Sequence, residues 1–260
     1  MPWRRHTANV PFEGTFRRQI DLKAWDERTV VGWLEDEYHH FGLTLVHDGA
    51  VVVDLRVAAP RHPWSTCAEA GLPLRALIGK RLVTRCSDIG ALVDMRKQCT
   101  HVFDLAGLAM AHASARREHR RYHGTVQPLA DLEPDASEGW LRATLYRDGQ
   151  RVMAWDLSED FIMAPPRYAG RSIDRGFREW LETRQEVEAE DAFVLRRVAF
   201  VAKGRRISIE HARVAHDIEQ ARVCHTFQPE YRAIAFRVKG TSRRFDVSEE
   251  AMLALIETKP

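Results

Sequence analysis

The stretch Arg61-His62-Pro63-Trp64-Ser65-Thr66-Cys67 separates two kinds of sequence pattern, and the change across it decides the fold. Upstream, between Phe16 and Pro60, short segments at 19–24, 29–34, 40–47 and 50–57 alternate apolar with polar residues, the period of a half-buried strand. The last two are joined by Asp48-Gly49, a dipeptide that readily takes the left-handed backbone of a tight hairpin. Downstream the period becomes helical, at 67–78, 89–96 and 100–116, the last with Val102, Leu105, Ala109 and Met110 on one stripe. Strands precede helices, so the chain is α+β: an antiparallel β-meander followed by helices.

The same order recurs further along. Thr44-Leu45, Asp48-Gly49 and Val52 are matched 100 residues later by Thr144-Leu145, Asp148-Gly149 and Val152. Gly32-Trp33-Leu34 returns as Gly139-Trp140-Leu141, and helical patterns follow at 172–183, 188–203 and 210–221. The reading is a duplication of one meander-plus-helices unit, 1–118 carrying the candidate site and 119–260 a diverged copy, packed as a pseudo-dimer. The acidic segment 128–138 is either a long hairpin loop or the joint near the copies. Residues 231–247 read as a hairpin turning at Lys239-Gly240, followed by a helix at 248–256. In the 100-residue register His39 and His40 fall on Gly139 and Trp140, and Cys67 on Arg167. The first copy therefore holds the reactive side chains and the second is expected to lend pocket walls.

A 260-residue chain that is 45% hydrophobic and 29% charged can bury a sizeable core. Its 39 basic and 37 acidic residues nearly cancel, which argues against a nucleic-acid partner or an anionic membrane surface. There is no long apolar run, so no membrane partner is expected. Four cysteines without a CxxC pair, Cys67, Cys86, Cys99 and Cys224, suit reduced thiols in the cytoplasm.

Three groups of residues can carry chemistry. Thr66 and Glu69 have capping-box spacing, which places Cys67 at a helix start where backbone N–H groups favour a thiolate, although a lone cysteine reads equally as a buried apolar residue. Glu35-Asp36-Glu37-Tyr38-His39-His40, read as one extended strand, puts Asp36 and His40 on one face and His39 with the glutamates on the other. A carboxylate beside a histidine can fix its tautomer for general-base work, while a charged strand edge is the plainer reading. Gln98-Cys99-Thr100-His101-Val102-Phe103-Asp104 opens the long helix, where the helix dipole keeps His101 neutral, as a base or a metal ligand. Cys67, Cys99 and His101 are ligand types for zinc or an iron-sulfur cluster, without finger or ferredoxin spacing. No phosphate loop, dinucleotide fingerprint or nucleophile elbow is present.

The order Asp36, His39-His40, Ala59-Pro60-Arg61, Pro63-Trp64, Cys67, Leu77-x-Gly79 and Gln98-Cys99-Thr100-His101 resembles the bacterial domain-of-unknown-function family numbered 2889. The resemblance covers about residues 15–115, and its most specific element is Cys99-Thr100-His101. More distantly the chain is similar to the iron-sulfur cluster assembly scaffold fold, in which a meander precedes helices and a cysteine opens the first helix. It departs from that scaffold in having no cysteine near 43–48 and in the order Cys-x-His of the late pair. The first resemblance implies catabolism of aromatic compounds, and so a small-molecule enzyme more than a carrier of clusters.

The resulting expectation is a cofactor-independent lyase acting on a small aromatic substrate, such as a lignin-derived one, for example by formaldehyde elimination. Asp36, His39, His40, Arg61, His101 and Asp104 are the candidate catalytic residues: a histidine base, a carboxylate orienting it, and Arg61 stabilising developing charge. Trp64, Cys67 and Phe103 are the candidate substrate-binding residues. The alternative is a non-enzymatic zinc or iron-sulfur module held by Cys67, Cys99 and His101, and a structural partner protein is a third reading. A homodimer is compatible with each.

Overall fold

The computed structural model describes residues 10–207, 209–218, 224–246 and 252–260. Phe16–Asp26 (β1), Thr29–Asp36 (β2), His40–His47 (β3) and Val52–Arg61 (β4) form a first meander, followed by Ile89–Leu92 (α1) and Thr100–Ser114 (α2). His119–Pro128 (β5), Leu141–Arg147 (β6), Gln150–Ser158 (β7) and Phe161–Ala164 (β8) form a second, followed by Phe177–Glu182 (α3) and Glu186–Ala202 (α4). All eight strands lie in one antiparallel sheet of order β4-β3-β2-β1-β5-β6-β7-β8. The two meanders meet at its centre, where β1 and β5 pair from Phe16↔Val126 to Lys23↔His119. The 118/119 boundary thus falls just before β5, and the sheet runs across it.

Strand parity fixes where the helices sit. Leu22 opposes Gly32, and a Cβ on Gly32 would lie 3.0 Å from Leu105 of α2. Gly124 of β5 opposes Arg18, on the same face as Leu22, and a Cβ there would lie 2.4 Å from Val198 of α4. One face of the sheet therefore carries both long helices, α2 over β1 to β3 and α4 over β5 to β7. Removing these apolar side chains from water contributes about 1.5–3 kcal/mol for each large one fully buried. Residues His101 to Ala113 of α2 are buried all round, which suits its small residues. Gly107 is required there, because a Cβ would meet the Cys86 carbonyl oxygen at 2.4 Å.

The opposite face of β2 and β3 is closed by the end of the chain. Trp33 Nε1 donates to the Thr258 carbonyl at 3.0 Å, Thr44 Oγ1 donates to the Pro260 carbonyl at 2.7 Å, and Leu253 packs on Val31 and Trp33. With both faces covered, all eight positions of β2 are buried.

The order of strands and helices agrees with the sequence expectation; several local elements differ. The segment expected as one helix at 67–78 is two 3₁₀ turns, Ser65–Glu69 and Pro73–Leu77, because Pro73 cannot donate to a continuing helix. Thr66 does not cap: its hydroxyl pairs with that of Thr226 at 2.9 Å. The 89–96 helix is α1 followed by the 3₁₀ turn Met95–Lys97. In 210–221 only the 3₁₀ turns Ile209–His211 and Ala215–Asp217 form, and 219–221 lie outside the described residues. Residues 231–246 turn at Lys239-Gly240 as expected, but they add no strand to the sheet; Arg237 forms an isolated bridge with Trp64, beyond the end of β4, and Val247 lies outside the described residues. Of the 248–256 helix, 248–251 lie outside the described residues and the rest is a series of turns.

The acidic segment 128–138 belongs to the connection between β5 and β6. The order of four strands and then helices does occur twice. The Asp-Gly match, however, joins the β3–β4 hairpin to the β6–β7 hairpin, which hold different places in their meanders, so it reflects turn chemistry. Among the described residues no helix is long and apolar enough to cross a membrane.

Candidate functional site

Cross-strand pairing sorts the candidate residues between the two faces. Arg18 opposes Asp36, on the face covered by helices, whereas Glu35 opposes His40 on the other. A single extended strand through 35–40 would give the reverse grouping. The chain instead turns over at 37–39, so the Asp36–His40 partnership expected from alternation is replaced by Asp36 with His39 and Glu35 with His40.

Asp36 is fully buried and Arg18 is 1% exposed, depths at which a charge must be paired. Arg18 Nη1 donates to Asp36 Oδ2. The second carboxylate oxygen accepts the backbone N–H groups of Tyr38 and His39, each at 2.9 Å, and His39 Nδ1 at 3.0 Å. One aspartate thus closes the turn and holds its histidine. The first turn of α2 brings His101 against this pair: its ring centroid is 3.8 Å from that of His39, and its Nδ1 lies 3.3 Å from Arg18 Nη2.

The partners assign the tautomers. An ionised carboxylate only accepts, so His39 carries a proton on Nδ1 and, when neutral, offers its lone pair at Nε2. A guanidinium only donates, so His101 accepts at Nδ1 and carries its proton on Nε2. The electrostatics agree. Burial by itself would raise the Asp36 carboxyl, but His39 and Arg18 beside it hold it well below the usual carboxylate range. Burial first, then the neighbouring His39 and Arg18, push His101 well below an ordinary histidine. The result is a potential base next to a neutral N–H donor.

Both rings border a cavity of about 130 Å³. Trp64, Cys67 and Cys99 line it from the first half of the chain, and Trp64 stands edge-on to Phe227, 80° between planes at 5.9 Å. The second half lends Arg197, Phe200, Val201 and Lys203 from α4 and the turn beyond it, with Cys224 and Thr226 from the later segment. The lining is mostly hydrocarbon, and among the described residues it contains no carboxylate.

The structure therefore brings together Asp36, His39, His101, Trp64 and Cys67, and leaves four predicted residues elsewhere. His40 faces the opposite side of the sheet, edge-on to Trp33 and 3.5 Å from Glu35. Arg61 lies on that side too. It donates to the carbonyls of Asp36 at 2.5 Å, Glu37 at 2.9 Å and His39 at 3.2 Å, and to Glu35 Oε1 at 3.1 Å, so it secures the turn rather than meeting a substrate. Asp104 orients Arg197, accepting from its Nε at 2.5 Å, and does not touch a histidine. Phe103 is buried outside the lining, two residues along α2 from His101 and so on another side of the helix. Cys67 is in the cavity wall but not as a thiolate: burial pushes it up to about 12, and its sulfur is 3.4 Å from the Thr226 hydroxyl.

The metal alternative fares poorly on geometry. Among the described residues, Asp36, His39 and His101 are the only group of three whose donor atoms lie within 4.8 Å of one another; Cys67 and Cys99 do not join His101 in such a group. The Arg18 guanidinium contacts both Asp36 and His101, and a metal cation there would face its charge at close range. The donors fit a hydrogen-bond network around a buried guanidinium better than they fit a metal.

Sequence reasoning missed Arg18, Arg197 and Lys203. Arg18 had a readable signal, since it occupies an inward position between Phe16 and Ile20 on β1, where a charge needs a buried partner. Arg197 and Lys203 had none, because their place at the cavity depends on how α4 crosses the sheet.

No curated protein and no solved structure matches this chain. The segment that does match a known family is the one carrying Asp36, His39, Cys67, Cys99 and His101: residues 3–115 fit the family model described as Protein of unknown function (DUF2889).

Proposed function

We propose that this chain is a cofactor-independent lyase for a small aromatic compound, with His39 as general base. The observation that carries the reading is the Asp36–His39 pair beside neutral His101 at the edge of a largely apolar cavity. Asp36 fixes the His39 tautomer that leaves Nε2 free to take a proton. His101, with its proton on Nε2, is a donor for negative charge that develops next to that base. Burial, with His39 and Arg18 beside it, keeps His101 neutral, and His39 and Arg18 keep Asp36 ionised against its burial, so the two imidazoles take different roles despite their proximity. The four thiols are unpaired, which supports a reducing compartment such as the cytoplasm.

Formaldehyde elimination from an aryl ketone with a hydroxymethyl group on its α-carbon is a concrete form. His39 takes the hydroxyl proton, the bond between the α-carbon and the hydroxymethyl carbon breaks, and formaldehyde leaves. The electron pair becomes an enolate conjugated with the ring, and the His39 imidazolium returns the proton to the α-carbon. The steps balance without an oxidant, reductant or metal.

The test is formaldehyde release, trapped colorimetrically, from a panel of such ketones by the purified chain. Turnover is expected for the parent protein, with a loss of about 10²–10⁴-fold in His39→Ala, the usual contribution of a positioned base. Release from no member of the panel, or undiminished release by His39→Ala, would remove the proposal.

A further inference from the structure

The part of the cavity wall lent by α4 has a charge of its own. Arg197, Phe200, Val201 and Gly204 follow at the spacing of one helical face as α4 runs into its last 3₁₀ turn, and Lys203 borders the same cavity. The Arg197 guanidinium lies 5.8 Å and the Lys203 ammonium 5.6 Å from the Phe200 ring centroid, so an aromatic surface and two cations meet on one wall. Each cation has a carboxylate partner outside the lining: Asp104 holds Arg197 through Nε and Nη2, and Asp160 holds Lys203. Arg197 Nη1 and the remaining ammonium donors of Lys203 are not used by those pairs. Elsewhere in the lining, His101 and the thiols of Cys67, Cys99 and Cys224 favour their neutral forms.

We propose that the ligand of this cavity is an aromatic anion, an arene carboxylate or a phenolate, whose ring lies between Trp64 and Phe200 and whose charge is met by Lys203 and Arg197. This inference rests on the proposed base chemistry at His39 and specifies the substrate class for it. The size agrees, because a cavity volume of about 130 Å³ is close to the ~150 Å³ of a cavity that holds benzene, so one ring fits inside. The polarity agrees as well. In a wall of hydrocarbon the attraction of a cation for an anion is weakly screened, and a lining whose described residues carry two cations and no carboxylate discriminates against neutral and cationic rings. Burial has already pushed the Lys203 ammonium down to about 8, and a bound anion would restore its preference for the charged form.

Calorimetric titration with shape-matched pairs tests the assignment: trans-cinnamate against cinnamamide for a carboxylate, and 4-nitrophenolate against 4-nitroanisole for a phenolate. The parent protein is expected to bind the anion of at least one pair about tenfold more tightly or better, and the pair that shows the preference identifies the anion. Lys203→Met and Lys203→Gln are each expected to bring the two members within about threefold, whereas Lys203→Arg keeps the preference. Equal binding of anion and neutral partner, binding of neither, or an undiminished preference in both Lys203→Met and Lys203→Gln overturns the inference. The same titrations on His39→Ala separate it from the base chemistry: a kept anion preference with no loss of formaldehyde release would sink the role of His39 while the charged wall stands.

Discussion

His39 and His101 stack with ring centroids 3.8 Å apart, yet the Nδ1 of one meets the carboxylate of Asp36 and the Nδ1 of the other meets the guanidinium of Arg18. Two adjacent imidazoles with like surroundings would titrate alike and repel each other once charged. Opposite partners give them opposite tautomers, His39 with its lone pair at Nε2 and His101 with its proton there, while burial and its charged neighbours keep His101 neutral. The division originates in β1 and β2, whose register sets Arg18 opposite Asp36.

Asp36→Asn should therefore damage both stability and activity. The amide keeps the volume but leaves the Arg18 guanidinium buried without a counter-charge, a loss of about 3–5 kcal/mol for a broken buried pair. It also ceases to require a proton on His39 Nδ1, so turnover should fall by about a hundredfold or more. Urea denaturation and formaldehyde release measure the two effects separately. A variant with unchanged stability would show that Arg18 finds its counter-charge elsewhere.

Arg61 should act on turnover without touching the ligand. Its guanidinium binds the carbonyls of Asp36, Glu37 and His39 from the far side of the sheet, together with the Thr241 carbonyl at 2.8 Å. Lysine keeps the charge but cannot serve this many acceptors in one plane, so Arg61→Lys should loosen the turn carrying His39. The expected result is a kcat lowered about tenfold with KM nearly unchanged, because a small displacement of the base costs rate before it costs binding. A parallel rise in KM would indicate a general disturbance of the cavity instead.

How much of this was legible depends on what each inference used. Alternation and the Asp48-Gly49 turn gave four strands at nearly their observed places, because strand period is a local property. Asp36, His39, Cys67 and His101, which the fold brings close to one cavity, could be singled out from residue type and position. The grouping of Asp36 with His40 was not, since the chain reverses within 37–39 and parity along one strand does not survive a turn. Arg61 looked like a substrate contact because arginine suits anions; its face of the sheet follows from pairing with His40, a relationship between strands. The second half supplied cavity walls, as the replacement of His39, His40 and Cys67 by Gly139, Trp140 and Arg167 at the matching positions had suggested, but which residues of α4 would border the site depends on packing across the β1–β5 junction.

Cys67 should prove inert in the native protein. With the thiol pushed up to about 12 by burial, only about one molecule in ten thousand carries the thiolate at pH 8. Iodoacetamide at pH 8 should leave Cys67 unmodified by mass spectrometry until denaturant is added, and Cys67→Ala should retain turnover within about threefold. Rapid native alkylation at this site would show an accessible thiolate and revive a nucleophilic role.

Acid should weaken the fold through buried histidines. His112 is fully buried on α2, and burial, with Arg117 and Arg120 nearby, pushes it down to about 4, against about 6.5 for histidine in an unfolded chain. Between those two values the unfolded chain binds more protons than the folded one, so falling pH draws molecules toward the unfolded state. Stability associated with His112 is complete above pH 6.5 and is lost progressively down to about pH 4, to a limit of about 3 kcal/mol. His101, pushed in the same direction, adds to the loss over an overlapping range. Urea midpoints at pH 7.5, 5.5 and 4.5 should decline steeply for the parent protein and less so for His112→Gln, whatever the variant's stability at pH 7.5. Parallel declines would mean that His112 reaches its proton in the folded state at no cost, which its burial does not allow.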